Sequence, residues 1–329
     1  MPHRPKSTFL AAVLLIAALA LVVPQRLNQY YLFILYDIGI NIILAVSLNL
    51  INGHTGQFSL GHAGFMAVGG YTSAYITTAL GPKILPFLGG AGAGASSMLF
   101  LSSLFAGGVS AALAGLVVGL PSLRLRGDYL AIVTLGFGEI IRVVIQSMDA
   151  VGGQRGFSVA QTYTNFFWTF SMAALTIYTV VALVRSSYGR GFIAVHDDEI
   201  AAEAMGINTT QYKVTAFVAG AFFAGVAGGL YAHSKGFLTP SGFDFMKSIE
   251  IVVMVILGGM GNTLGVILAA ILLTILPEAL RSFEKYRMIL YSLMLVILMI
   301  TRPQGLFAWN WRWTRRVPAT TSSSKEDGA

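Results

Sequence analysis

Apolar runs of about twenty residues recur along almost the whole chain, and a helix of that length crosses the hydrocarbon core of a bilayer. The runs are continuous rather than alternating, which suits helices that satisfy every backbone N–H and C=O internally. Taking one run as one span, the sequence predicts helices over 8–23, 31–51, 57–80, 98–120, 129–147, 164–184, 211–234, 246–261, 263–280 and 288–301. Polar, Gly or Pro punctuation bounds them, as at Pro24-Gln25-Arg26, Gly81-Pro82-Lys83 and Arg302-Pro303. The expected fold is all-α, a polytopic integral membrane protein of about ten transmembrane helices. Only 246–280 is ambiguous, because Gly258-Gly259-Met260-Gly261-Asn262 can be a short turn or a break within one long helix.

Charge supports this reading. Only 11% of the 329 residues are charged, against about 25% in a soluble domain. The net charge of +7 sits in short connections and near the termini, which is an orientation signal and not a nucleic-acid footprint. With both termini cytoplasmic, twelve Lys and Arg residues lie inside and eight outside; Arg281, Lys285 and Arg287 are the main conflict. The basic lead before Phe9–Val23 and the small residues of Ala18-Leu19-Ala20 resemble a signal peptide. The run continues past that site, so a retained first helix is expected. One permease domain is expected over 1–313, followed by a polar, disordered tail over 314–329, with Gly89–Ala95 as a flexible outer linker. The chain has no Cys, which excludes disulfides, thiolate metal sites and cysteine nucleophiles.

The longest internal polar stretch, 185–213, falls on the predicted cytoplasmic side. Asp197 and Asp198 suit a helix N-terminus, the residues to Met205 are good helix formers, and Gly206 is a natural stop. Ile200, Ala201, Ala204 and Met205 share one face of this short helix, with Glu199 and Glu203 on another. Ala202 and Gly206 add small residues that would let it lie flat in a groove. The helix either connects two spans or docks on a partner, and helix-in-groove recognition has no unique code that separates the two.

Gly53 to Gly64 interrupts an apolar pattern with glycines and polar side chains, which in transporters marks a broken helix near the substrate path. A helix start there would turn N–H groups toward a carboxylate, and Gln57, Ser59, Gly61 and His62 are candidate lining residues. Close packing is the competing reading, since Ser59, Ala63 and Ala67 form a small-residue ridge. Glu139 and Arg142, spaced i,i+3 inside a span, read first as an intramembrane ion pair locking helices, with substrate contact as the alternative. Asp37, Glu250 and Glu278 receive no role. His3, His54, His62, His196 and His233 are scattered without acidic or Cys partners at ligand spacing, so no metal is expected. No Gly-Lys dipeptide exists, hence no Walker A loop, and no catalytic pair or cofactor motif is found. Energy for pumping must come from a partner chain or an ion gradient.

Several of these motifs, in one order, resemble the branched-chain amino acid ABC transporter permeases. The stretch 190–207 with its Glu199-Ile-Ala-Ala-Glu203-Ala core is similar to that family's cytoplasmic coupling loop. Asn49–Phe65, Tyr129–Arg142, Gly152–Gly156, Gly258–Asn262 and Arg302–Phe307 resemble other segments of the family and follow in its order, and the M-type subunit is the nearest subtype. The resemblance implies an importer in the bacterial inner membrane, built from this chain, a second H-type permease, two ATP-binding subunits and an external substrate-binding protein. In that picture Asp197, Asp198, Glu199, Ala201, Ala202, Glu203 and Gly206 carry ATPase motion into the spans. His196 departs from the family pattern, which usually has Arg there. The same machine carrying urea or a short amide is the nearest alternative. An ion-coupled secondary transporter acting alone is a further one.

Overall fold

A computed structural model describes residues 5–88, 92–122, 128–281, 286–301 and Gly305. The polar tail over 314–329, residues 89–91 of the linker, the basic residues Arg4, Arg124, Arg126 and Lys285, and most of the Arg302–Phe307 motif lie outside the described residues.

The fold is all-α. The long helices are α1 (Pro5–Arg26), α2 (Gln29–Asn49), α3 (His62–Tyr75), α5 (Ala93–Ser122), α6 (Asp128–Ser147), α7 (Phe166–Arg185) and α10 (Thr209–Lys235). The C-terminal part adds α11 (Phe245–Gly258), α12 (Thr263–Ala279) and α13 (Arg287–Thr301). Among the described residues, three short helices complete the set: α4 (Gly81–Ile84), α8 (Gly189–Asp197) and α9 (Glu199–Ala204). Wide turns over Leu50–His54 and Ile76–Leu80 extend α2 and α3. A helix lies in each of the ten apolar stretches. Among the described residues, five are long and apolar enough to cross a membrane: Gln29–His54, Gly94–Ser122, Tyr129–Ser147, Phe166–Arg185 and Thr209–Lys235. Large apolar side chains stand exposed on several helices, among them Leu14, Leu21, Phe105, Ile132 and Ile300. So much uncovered apolar surface suits a lipid-facing exterior.

The centre is a trio of helices, α3, α5 and α10, that meet through glycines. A Cβ on Gly69 would lie 2.2 Å from Gly225 Cα, one on Gly228 1.9 Å from Met66 O, and one on Gly107 2.7 Å from Gly69 O. Without a hydrophobic drive between helices in lipid, such backbone-to-backbone approach supplies the packing. Phe65 and Phe217, both fully buried, close the trio edge to face with ring centroids 5.5 Å apart.

Two ends can be told apart. At one, Phe157-Ser158 (β1) pairs antiparallel with Phe237-Leu238 (β2), Val159 N–H donates to Gly236 O, and Lys235 pairs with Asp37. Tyr30 there donates to Glu278, and Arg281 lies over the Tyr30 ring. At the other end the α2 turn, the α8–α9 loop and the α11–α12 turn meet: Gly261 stacks on Gly53, His196 on Gly56, and Gly305 on Gly259.

Two expectations shift. The third helix starts at His62 and not at residue 57, because Gly56 at φ +69° turns the chain and 57–61 has no regular secondary structure. The linker ends sooner than expected, since Ala93–Ala95 already belong to α5. The ambiguous stretch 246–280 resolves into two helices. Positive φ at Gly259 and Gly261 breaks the chain, Asn262 caps α12 by accepting from Gly265 N, and Gly258 lies against Val266 in a tight hairpin.

Candidate functional site

The polar break between α2 and α3 is buried and held by its own side chains. Asn52 brackets Ser59, accepting from its N–H at 3.1 Å and donating to its carbonyl at 3.4 Å. Gln57 N–H donates to Ile51 O, and Gln57 Nε2 donates to Thr55 Oγ1. Leu60 N–H donates to Thr134 Oγ1 of α6, and a Cβ on Gly61 would lie 2.2 Å from Thr134 O. Ser248 of α11 accepts from Ala63 N–H at 3.2 Å. Several N–H groups that were expected to face a carboxylate are therefore taken by this chain's own oxygens.

The break is nonetheless under-satisfied. Among the described residues, eight buried side-chain atoms lack a protein partner, and five of them lie between residues 49 and 62: Asn49 Nδ2, His54 Nε2, Gln57 Oε1, Ser59 Oγ and His62 Nδ1. His62 Nε2 does bond Ser47 Oγ at 2.9 Å. Each orphaned group costs about 1–3 kcal/mol unless another arrangement or water satisfies it. Three of the four path candidates, Gln57, Ser59 and His62, carry such an atom, and the fourth, Gly61, supplies the close approach to α6. Asn52 is a residue the sequence reading missed, although an Asn within helical reach of an extended polar run was the available signal. Replacing Asn52 with Leu should lower stability by about 2 kcal/mol, since two buried backbone groups of Ser59 lose their partner. Thermal unfolding in detergent checks this.

A shallow cleft borders the break, lined by Leu60, Gly64, Gly138, Glu139, Asp244 and Ser248 among others. Both of its carboxylates are engaged. Arg142 Nε donates to Glu139 Oε2 at 2.8 Å, and Asp244 caps α11 by accepting from Lys247 N–H. Glu139 and Arg142 are thus brought together, but within α6, so this bond does not itself lock two helices. The charges without an assigned role are tied as well: Asp37 to Lys235, Glu250 to Lys247 and Glu278 to Tyr30.

The loop between α7 and α10 is two helices instead of one. Asp198 is extended and accepts from Ile200 N and Ala201 N, so it caps α9 and separates it from α8. The sequence reading missed α8, whose signal was the i, i+3 spacing of Phe192 and Val195, both buried. Gly191 there admits the Tyr212 ring of α10. Lys213 of α10, 8% exposed, pairs with Glu199 at 2.6 Å, and Thr209 donates to Glu203 at 2.8 Å. Ala202 faces inward. Ile200 at 67% and Met205 at 83% are exposed, next to Ala201 and Ala204. Gly206, at φ +83°, ends the element with Ile207 N–H donating back to Ala202 O. Asp197 stands exposed beside His196.

Residues 30–300 match the family model described as the branched-chain amino acid transport system permease component. The chain belongs to the branched-chain amino acid transport permease family. Among its relatives is the high-affinity branched-chain amino acid transport system permease protein LivM of Escherichia coli K12. The two are 36% identical, over 93% of this chain and 77% of that one. LivM of Salmonella typhimurium LT2 is 37% identical, covering 81% of this chain and 67% of the relative. A probable LivM of Methanocaldococcus jannaschii is 24% identical, over 83% and 92% of the two chains. No solved structure matches the chain. Family membership makes this a transport permease and a multi-pass membrane protein, and it assigns the buried break and the α8–α9 loop to a permease.

Proposed function

We propose that this chain is the membrane-spanning subunit of an ATP-driven importer for branched-chain amino acids. It would work beside a second, H-type permease, two ATP-binding subunits and an external substrate-binding protein. The observation that carries the reading is the α8–α9 loop, which is rooted by Lys213–Glu199 and presents Ile200, Ala201, Ala204 and Met205 outward. An apolar helix face outside the span pattern fits the groove of a partner, and an ATPase would supply the energy that this chain, without a Walker A loop, does not draw from ATP that way. All ten apolar helices of the single domain 1–313 span the bacterial inner membrane in this reading, with both termini cytoplasmic and lipid against the exposed helix faces. Alternating access then moves substrate past Gln57, Ser59, Gly61 and His62. ATP hydrolysis takes place on the partner chains, and no cofactor is needed here.

The test is purification of the tagged chain from its native host in mild detergent, with co-purifying proteins identified by mass spectrometry. Two Walker-A ATPases and a second permease are expected. A folded chain recovered alone would sink the reading in favour of an ion-coupled transporter. Met205→Glu should reduce ATPase recovery at least tenfold while leaving the elution profile of the chain unchanged, because Met205 is exposed. Competition of uptake by leucine but not by urea separates the amino acid importer from a urea or amide importer.

A further inference from the structure

The loop and the buried break meet at His196 and Gly56. Gly56 opens the irregular run 57–61 at φ +69°, and His196 near the C-terminal end of α8 lies against Gly56. A Cβ on Gly56 would lie 3.2 Å from His196 Cδ2 and 3.5 Å from its Cα. Two residues further on, Asp198 caps α9, the helix with the outward apolar face. On its inner side the run continues through Ser59, held by Asn52, to Leu60 and Gly61, which meet Thr134 of α6.

We propose that His196 is a positioning residue for transport, through which the α8–α9 loop acts on the break by bearing on Gly56. Transmission needs an element with two discrete arrangements that both sites bias, and not mere proximity. The break has the properties of such an element. It is irregular chain between two helices, it begins at a glycine in a left-handed conformation, and it concentrates buried polar atoms without partners at Gln57, Ser59 and His62. A shift of 57–62 offers those atoms new partners, while the glycine-packed trio behind it has no freedom to follow. Movement of α9 on its partner therefore reaches the break through His196. This rests on the importer reading, and its failure can be told apart from failure of that reading.

The experiment uses the full complex reconstituted in proteoliposomes with its two ATPases, the second permease and the binding protein, measuring leucine uptake and ATP hydrolysis together. His196→Ala should leave subunit recovery intact and hydrolysis within twofold of wild type, while leucine moved per ATP falls at least tenfold. His196→Gln, which refills the space above Gly56, should restore at least half of the ratio. A merely structural role would lower uptake and hydrolysis together. As a second readout, the chain has no native cysteine, so Ser59→Cys gives it a single site for a small methanethiosulfonate reagent, read on this chain after separation from its partners. Labelling should rise during ATP turnover, and His196→Ala should abolish the rise. An unchanged uptake-to-ATP ratio in His196→Ala, with an unchanged Ser59→Cys labelling pattern, overturns the inference. A wild-type complex that binds no ATPase overturns the importer reading and this inference with it.

Discussion

Valine in place of Gly228 is expected to leave no folded protein to isolate. A Cβ at 228 would sit 1.9 Å from Met66 O and 2.8 Å from Gly70 N, so the obstacle is backbone on a neighbouring helix, which no rotamer change relieves. Valine adds two methyl groups in the same place. Separating α3 from α10 would also strip the contacts that Gly69, Gly107 and Gly225 make at the centre. The loss should exceed about 5 kcal/mol, the whole stability of many domains. Size-exclusion chromatography in mild detergent checks this, with aggregation or absence expected. Gly136→Ala on α6 is the control: nothing lies within 4 Å of its added Cβ, and alanine favours a helix interior by about 0.5–1 kcal/mol. A monodisperse, wild-type-like Gly228→Val protein would mean that the trio does not pack this way.

Glu199→Ala should release α9 from α10 without unfolding the bundle. Lys213 is 8% exposed and pairs with Glu199 at 2.6 Å. Removing one member of a buried pair costs about 3–5 kcal/mol, because the other charge stays in a poor solvent. The strain can be relieved locally, by lifting a six-residue helix. Amide exchange over 199–206 should therefore accelerate by roughly a hundredfold to a few thousandfold, since each 1.4 kcal/mol is a factor of ten, while the bundle's midpoint of unfolding barely moves. The double substitution Glu199→Gln with Lys213→Met should recover most of the protection, as replacing both partners removes the stranded charge. Unchanged exchange in Glu199→Ala would show that the ion pair does not hold the loop.

Helix positions were legible in the sequence because the apolar runs and their Gly, Pro and polar boundaries are local signals, independent of distant partners, and a lipid solvent leaves few alternatives. That Ile200, Ala201, Ala204 and Met205 share one face was legible for the same reason, from period alone; that this face is the exposed one was not. What was hidden depends on tertiary partners. Residues 57–61 read as the start of a span by hydropathy, yet Asn52, Thr134 and Ser248 draw their N–H groups and those of Ala63 out of helical bonding. Helix α8 was hidden because its glycines argue against a helix, and Gly191 is accepted only since the Tyr212 ring fills the space. Glu199 and Glu203 read only as a second face of the short helix. Their bonds to Lys213 and Thr209 run to the start of α10, which the pattern of α9 by itself does not announce.

Glycine contact between α3, α5 and α10 has a mechanical consequence. Helices separated by side chains can slide by switching rotamers, as layers shear over a lubricating film; helices in backbone contact have no film. The trio therefore behaves as a solid chassis. Any excursion this permease makes divides it into that chassis and a jointed remainder, and the joints are the turns at Gly56, Gly259 and Gly261 gathered at one end.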